Sequence, residues 1–215
     1  MKFQIILFFV FVSNNILAQR ITEIEKIKNQ FKANESSIYI FCRGTKSKSV
    51  LIAHKFNYSD TNITHVGIGY YKNHKFIIYN VSDIVPIANT ALRVDTLESF
   101  LQSEDIYFFS AWQYQTTKRK IRKLKNLLDS YTLKNIVFDA SFELNNADTL
   151  YCSEFCAEVL KKFKKRNFYI PPNEYRLKNT LLEIVLKRQK LIYFPVDFFQ
   201  KLNLFKIAFQ TKLTQ

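Results

Sequence analysis

The chain has 215 residues, of which 47% are hydrophobic, 23% are charged and 16% are aromatic. This composition supplies enough apolar surface for one folded domain and excludes an intrinsically disordered chain. Its three glycines exclude collagen-like segments and a glycine-rich phosphate-binding loop. Its three cysteines are too few for a disulfide framework.

The chain is strongly basic, with 32 Lys and Arg against 18 Asp and Glu and a formal net charge of +14. Such a charge favours anionic surroundings, including a membrane surface, a cell-wall polymer or nucleic acid. No nucleic-acid-binding motif occurs, and abundant Lys, Asn, Ile and Phe are typical of an AT-rich genome. We therefore expect no specific nucleic-acid partner and keep an anionic envelope surface as a candidate partner.

Residues 1–18 predict a secretory signal peptide. Lys2 is the only charge before Arg20, residues 3–12 are almost entirely apolar, and Ala18 is a small residue at the expected cleavage site. The apolar run is shorter than the about 20 residues that a membrane-spanning helix needs. We expect cleavage after Ala18, export to the periplasm or the medium, and a mature domain of residues 19–215. An uncleaved anchor is the alternative.

Hydrophobic periodicity predicts mixed helices and strands along the mature chain. The first half reads as a helix at 20–33, strands at 37–42, 64–71, 75–81 and 106–112, a polar loop at 45–62, and a short helix at 94–102. The second half reads as helices at 116–134, 151–165 and 181–190, a loop at 166–179, and an apolar C-terminus that fits either strand or helix. No repeat or linker interrupts them, so we predict a single α+β domain with a small antiparallel sheet or barrel packed against helices.

Cys152 lies where a thiol can act as a nucleophile. Polar residues at 145–149 precede it and a helical pattern follows, so we predict that it falls in the first turn of a helix. Unpaired amide donors and the positive end of the helix dipole stabilise an anion there and lower the pKa of a thiol. A small buried core residue is the alternative for Cys152 and the preferred interpretation for Cys42 and Cys156.

A cysteine nucleophile needs a base within hydrogen-bond reach, and the chain has three histidines. His74 falls in a predicted hairpin turn and His54 in a polar loop. His65 opens a strand whose alternation places Gly67 and Gly69 on its own face. Glycines leave room for another backbone, and we expect the N-terminus of the cysteine-bearing helix to pack there. His65 is the candidate base, and a satisfied histidine at a strand edge is the alternative.

Strand pairing supplies a third member of the site. A hairpin turn at Lys72-Asn73 places Asn80 directly opposite His65, and a turn at Asn73-His74 places it diagonally on the same face. Either register lets the amide hold the tautomer of the imidazole, as the third member of a catalytic triad does. A strand-end asparagine is the alternative interpretation of Asn80.

Four segments carry a resemblance to a known family, in a consistent order between residues 36 and 165. They are Ile38-Tyr39-Ile40-Phe41-Cys42-Arg43-Gly44, Thr64-His65-Val66-Gly67-Ile68-Gly69, Phe138-Asp139-Ala140-Ser141-Phe142 and Leu150-Tyr151-Cys152-Ser153-Glu154. Together they resemble the permuted papain-like amidases, the YiiX-like branch of the NlpC-like cysteine hydrolases. The resemblance implies a circularly permuted papain-like fold, with Cys152 as nucleophile, His65 as general base and Asn80 as orienting residue. Relatives often carry a carboxylate where this chain has Asn80.

The leading hypothesis is a secreted cysteine hydrolase that cleaves an amide, peptide or isopeptide bond through a thioester intermediate. Its expected partner is a small peptide, amide or acylated substrate. Glu154 and Tyr151 are candidate substrate-binding residues, with helix capping the favoured role of Glu154. The scattered histidines and cysteines lack metal-ligand spacing, so we expect neither a metal nor a cofactor.

Two alternatives remain open at this stage. A lipid esterase or acyltransferase of the same superfamily would need an apolar groove, for which core packing is an equally good explanation of the candidate rings. Those rings are Phe194, Phe198, Phe199 and Phe205. A non-catalytic module that binds the envelope through its basic surface is the second alternative.

Overall fold

The computed structural model describes residues 18–46, 55–83, 90–144, 146–163, 168–178 and 181–214. Residues 1–17, which form nearly all of the predicted signal peptide, and His54 lie outside these ranges, so cleavage after Ala18 stays a prediction. Within the ranges, no helix is both long enough and apolar enough to cross a membrane.

Antiparallel strands build the centre of the fold. The strands are β1 (Ser37–Thr45), β2 (His65–Lys72), β3 (Lys75–Val81), β4 (Leu92–Asp95), β5 (Ile106–Gln115), β6 (Val137–Phe138), β7 (Thr149–Leu150), β8 (Asn173–Arg176), β9 (Lys190–Tyr193) and β10 (Lys206–Lys212). Six of them form one sheet in the order β10-β5-β1-β2-β3-β4, and every neighbouring pair in it is antiparallel. The two remaining pairs are β6 with β7, which is parallel, and β8 with β9, which is antiparallel.

Helices cover both faces of the sheet. They are α1 (residues 18–30), α2 (Leu97–Leu101), α3 (Lys118–Thr132), α4 (Cys152–Phe163) and α5 (Leu181–Leu186), with a 3₁₀ turn at Phe198–Leu202. On one face, α3 and α4 bury side chains such as Phe155 against Val66 and Ile68. On the other face, α1 and α2 bury side chains such as Phe100 against Phe76. Complete burial of one such phenylalanine contributes about 1.5–3 kcal/mol. The predicted α+β class is confirmed.

The basic helix α3 follows from its hydrophobic periodicity and its N-terminal capping residue. Thr117 caps it by accepting a hydrogen bond from the backbone N–H of Lys120, and the side chains at the predicted apolar positions Ile121, Leu124 and Leu128 are buried. Five of the six basic side chains on its other side are exposed and the sixth is partly buried; they are Lys118, Arg119, Lys120, Arg122, Lys123 and Lys125. The prediction of a solvated basic face is confirmed.

Two elements differ from the sequence prediction because strand pairing overrides local preference. The segment predicted as a helix at 94–102 begins with β4, which pairs with β3, and only Leu97–Leu101 is helical. The predicted loop at 166–179 contains β8, which pairs with β9. The first strand also runs on through Gly44, where a Cβ atom would lie 2.0 Å from the carbonyl oxygen of Asn62.

The β2–β3 hairpin has the second of the two predicted registers. Lys72 pairs with Lys75, so Asn73 and His74 form the two-residue turn. Both turn residues have positive φ angles, 50° and 61°, as a type I′ turn requires. This register sets Asn80 diagonally from His65, and the register with a turn at Lys72-Asn73 is wrong.

Replacing His74 by glycine should raise the free energy of unfolding by about 0.5–1 kcal/mol, because glycine adopts a positive φ without the clash of a Cβ atom. Urea denaturation monitored by circular dichroism measures the change. Lys75→Gly, one residue further along in the strand, is the matched control and should destabilise by about 0.5–1 kcal/mol. Equal destabilisation by both substitutions would contradict the type I′ turn.

Candidate active site

Cys152 is the first residue of α4, as predicted, and its thiol is partly buried. It packs against the core on the α4 side of the sheet. The backbone N–H groups of Val66 and Ser153 face the sulfur and stabilise its anion. Val66 directly follows His65 in β2, so the thiol lies at the end of the sheet where the histidine strand begins.

The expected lowering of the Cys152 pKa is wrong. Burial raises the pKa of the thiol above its ordinary value, and the amides of Val66 and Ser153 together with the positive charge of Arg43 oppose this rise without cancelling it. A helix N-terminus lowers a thiol pKa only where the sulfur stays solvated or meets enough compensating charge. The resting side chain is therefore a neutral thiol.

His65 and Asn80 meet as the hairpin register requires. The Nε2 atom of His65 lies 2.9 Å from Oδ1 of Asn80, and the asparagine side chain is fully buried. The two residues occupy neighbouring strands on one face of the sheet, with Gly67 opposite Asn80. A larger side chain than glycine would displace the amide, because a Cβ atom at Gly67 would lie 3.1 Å from that of Asn80.

Asp95 continues this row onto the next strand. Its Oδ2 accepts a hydrogen bond of 2.9 Å from Nδ2 of Asn80, and its Oδ1 accepts one of 3.0 Å from Oγ of Ser99. Arg93 Nη2 approaches Oδ1 at 3.4 Å, and the Asp95 side chain is 7% exposed. His65, Asn80 and Asp95 thus form a hydrogen-bonded diagonal across β2, β3 and β4.

This row fixes which nitrogen of His65 carries the proton. An ionised carboxylate only accepts hydrogen bonds, so the NH₂ group of Asn80 must face Asp95 and its carbonyl oxygen must face His65. That oxygen also only accepts, so Nε2 must be the protonated nitrogen of the neutral ring. The lone pair therefore resides on Nδ1, which is the nitrogen available to take a proton.

Phe100 packs near the His65 imidazole, and Arg43 packs on the same phenylalanine ring. The His65 and Phe100 rings lie 5.9 Å apart, and the Arg43 guanidinium stacks 4.7 Å from the centre of the same phenylalanine ring. Burial, and then the charge of Arg43, lower the pKa of His65 to about 3. Because an unfolded histidine has a pKa of about 6.5, the folded state loses stability as the pH falls from that value toward 3.

The body of α4 packs on the face of β2 that carries Val66 and Ile68, while its first residue, Cys152, lies at the end of the sheet where β2 begins. The space over Gly67 and Gly69 is filled by β3, since a Cβ atom at Gly69 would lie 2.0 Å from the carbonyl oxygen of Ile77. The expectation that α4 packs over these glycines is wrong, because α4 contacts the opposite face. Among the described residues, no hydrogen bond joins Cys152 to His65, and the thiol meets the histidine strand through the N–H of Val66.

The two residues predicted to bind substrate have different surroundings. Tyr151 is 3% exposed, and its hydroxyl accepts a hydrogen bond of 2.7 Å from the backbone N–H of Phe194. Glu154 is also 3% exposed and lines a cavity beside α4. Burial and the nearby carboxylate of Asp139 raise the pKa of Glu154 to about 8. A hydrogen bond from the Tyr151 amide opposes this rise. That hydrogen bond agrees with the capping role.

The other cysteines are core residues, as predicted. Cys42 and Cys156 are free, fully buried thiols whose pKa burial raises well above the ordinary value. Three of the four candidate groove rings, Phe198, Phe199 and Phe205, are also buried in the core.

Sequence reasoning missed Asp95 and Arg43. The alternation Leu92-Arg93-Val94-Asp95 is a strand pattern that places both charged residues on one face, and it was the available signal for Asp95. Arg43 pairs with His65 across β1 and β2, and an arginine inside an otherwise apolar strand was the signal for it.

Comparison with known proteins bears on the fold. No protein-family model matches the chain, and no curated protein matches it significantly. Among solved structures, the chain is similar to the crystal structure of the metalloprotein YiiX from Escherichia coli O157:H7, with a TM-score of 0.50 and 14% identity. The match covers 84% of this chain and 97% of the YiiX chain. The chain therefore has a YiiX-like fold, and at this identity the likeness concerns the fold alone.

Asp95→Asn should remove the constraint that keeps the ring proton of His65 on Nε2. The new amide can donate as well as accept, so the Asn80 amide is free to turn its NH₂ group toward Nε2 and move the ring proton to Nδ1. Nitrogen-15 NMR of the imidazole distinguishes the two tautomers. Ser99→Ala, which keeps the carboxylate, is the matched control and should leave Nε2 protonated. An unchanged spectrum in Asp95→Asn would contradict the row.

Proposed function

We propose that this chain is a thiol hydrolase of the permuted papain-like type that cleaves amide bonds, with Cys152 as nucleophile, His65 as general base and Asn80 as orienting residue. The observation that carries the proposal is the hydrogen-bonded row that leaves Nδ1 of His65 as a free base. The YiiX-like fold and a thiol at the first residue of α4 support it. We further propose that the protein acts after secretion or in the periplasm.

The proton transfer that starts the reaction runs between neutral partners. Nδ1 of His65 takes the proton of the Cys152 thiol while the sulfur attacks the substrate carbonyl carbon. This step needs the thiol and the imidazole to approach each other, and catalytic hydrogen bonds are often long before substrate binds. The amides of Val66 and Ser153 and the charge of Arg43 favour the thiolate as it forms.

The acyl transfer then takes place at the substrate carbonyl carbon. The sulfur–carbon bond forms, the carbon–nitrogen bond breaks, and the amine leaves with the proton that His65 Nδ1 holds. Water next attacks the thioester, gives a proton to Nδ1, and expels the sulfur, which recovers its proton. The backbone N–H of Cys152 lies in the first turn of α4, where amides have no intrahelical partner, and can donate to the developing oxyanion.

Three rival interpretations have less support. Burial of Phe198, Phe199 and Phe205 leaves little of the apolar groove that a long acyl chain would need. The exposed basic face of α3 suits a non-catalytic envelope-binding module. Binding through this face does not explain why the His65 imidazole is held in one orientation. YiiX is described as a metalloprotein, but in the described ranges no group of three or more His, Cys, Asp and Glu side chains fits a metal ion.

Cys152→Ala should reduce turnover of responsive members of a peptide-amide library by at least about 10³-fold, because the acyl-enzyme cannot form. His65→Gln should have an effect of similar size, and mass spectrometry should detect the thioester on Cys152 in the unsubstituted protein. Cys156→Ser, one helical turn further on, is the control and should retain activity. Undiminished turnover in Cys152→Ala would refute the nucleophile.

A short bifunctional alkylating reagent tests the approach of the two side chains directly. It should join Cys152 to His65, and the cross-linked peptide should contain this histidine rather than His74 of the distant turn. Faster turnover of acyl esters than of amides would select the esterase alternative. Binding of anionic envelope polymers with steep salt dependence, unchanged in Cys152→Ala and without any turnover, would select the binding module.

The value of kcat/KM should stay nearly constant between pH 7.5 and 5. His65 is neutral above its pKa of about 3, so the base does not become protonated in this range. An ordinary imidazole with a pKa near 6.5 would lose about thirtyfold of its neutral form by pH 5. Stopped assays at six pH values, with circular dichroism to verify folding, measure the profile. A fall centred near pH 6.5 would contradict the lowered pKa.

A further inference from the structure

A cavity of about 220 Å³ lies beside α4, away from the thiol. Glu154, Glu158 and Lys161 line it from the helix, and Phe168, Phe194 and Phe198 are among its apolar walls. Cys152 and Glu154 are two positions apart, which turns their side chains about 200° from each other around the helix. The cavity is therefore separate from the candidate active site, and neither the hydrolase proposal nor the fold accounts for it.

Glu154 contributes a carboxyl oxygen that has no partner. The residue is 3% exposed, and its Oε2 atom is buried without a hydrogen bond in the described part of the chain. The backbone N–H of Tyr151, at the start of the helix, donates a hydrogen bond to the Glu154 carboxyl. Buried carboxyl oxygens are almost always hydrogen-bonded, so an unpaired one on a residue that lines a cavity points to a missing partner.

The charged groups around Glu154 are of both signs. Burial raises the pKa of Glu154 to about 8, and the carboxylates of Asp139, on the segment after β6, and Glu158, on α4 itself, add to this rise. The Tyr151 and Tyr169 phenols are the uncharged titratable groups nearby, and Lys161 is an exposed ammonium that lines the same cavity. Glu158 is itself paired with Lys162 at 3.0 Å and accepts a hydrogen bond from Tyr131, whereas Asp139 lies outside the lining of the cavity.

We propose that this cavity binds an organic ammonium ion, with the charged nitrogen against Glu154 and the apolar body against the phenylalanine rings. An ammonium donates the hydrogen bond that Oε2 lacks, and the faces of aromatic rings attract cations. An anion would be repelled by Glu154 once this residue is ionised, and an apolar neutral molecule would leave Oε2 unpaired. The cation can be a free small amine or the amino terminus of a peptide, since both present the same group.

Isothermal titration calorimetry with n-butylammonium tests the cavity, and leucinamide tests the peptide-terminus source. Both cations should bind at pH 8.5, whereas 1-pentanol and pentanoate, of similar size, should not. Because the bound cation requires an ionised Glu154, the affinity for n-butylammonium should fall by about 50- to 100-fold between pH 8.5 and pH 6. At pH 7, binding should release nearly one proton, measured by titrating in buffers of different ionisation enthalpy.

Glu154→Gln should weaken n-butylammonium binding by at least about tenfold at pH 8.5 and abolish its pH dependence, because the uncharged amide does not titrate. Glutamine keeps the hydrogen bond from the Tyr151 amide, so the variant should remain folded. Lys161→Gln removes a like charge and should strengthen binding. Equal binding of 1-pentanol, preferred binding of pentanoate, or unchanged affinity in Glu154→Gln would each overturn the proposal. Cys152→Ala should bind as the unsubstituted protein does, which separates this test from that of the hydrolase.

Discussion

The candidate site depends on one carboxylate that can only accept hydrogen bonds. Asp95 is buried at the end of β4, and its two oxygens are held by Asn80 and Ser99. An asparagine amide alone has two nearly equivalent orientations, and only a partner of fixed polarity selects one of them. Through that selection, a residue on β4 determines the proton position on a ring two strands away.

Burial gives this site a neutral resting state. The thiol pKa is raised and the imidazole pKa is lowered, so neither Cys152 nor His65 carries a charge near neutral pH. Arg43 acts on both groups, favouring a thiolate and disfavouring an imidazolium. In the proposed reaction, charge would form only as substrate is attacked, and in a poorly solvated site the fixed amide donors would stabilise this charge more than water would. The design resembles a general-base mechanism more than a preformed ion pair.

Periodicity predicted the parts of the fold that depend on local pattern. The helix that begins at Cys152, the basic helix α3 and the β2–β3 hairpin each carry an apolar stripe or alternation that only one element satisfies. The strand β4 was missed because four residues followed by a helix look helical until a partner strand is known. Asp95 was missed with it, and the face on which α4 packs could not be predicted because sequence gives no direction for a helix crossing a sheet.

The first turn of α4 carries the Cys152 thiol on one side and the Glu154 carboxyl on the other. An ionised glutamate in its first turn would offset the positive potential at the helix start, where the Cys152 thiol lies. Burial, with smaller contributions from Asp139 and Glu158, raises the pKa of Glu154 to about 8, so the residue is mostly protonated at neutral pH and this potential is preserved for the sulfur. A cation that ionised Glu154 would bring its own compensating positive charge. The same carboxyl can therefore cap the helix and line a cavity while leaving the field at the thiol nearly unchanged.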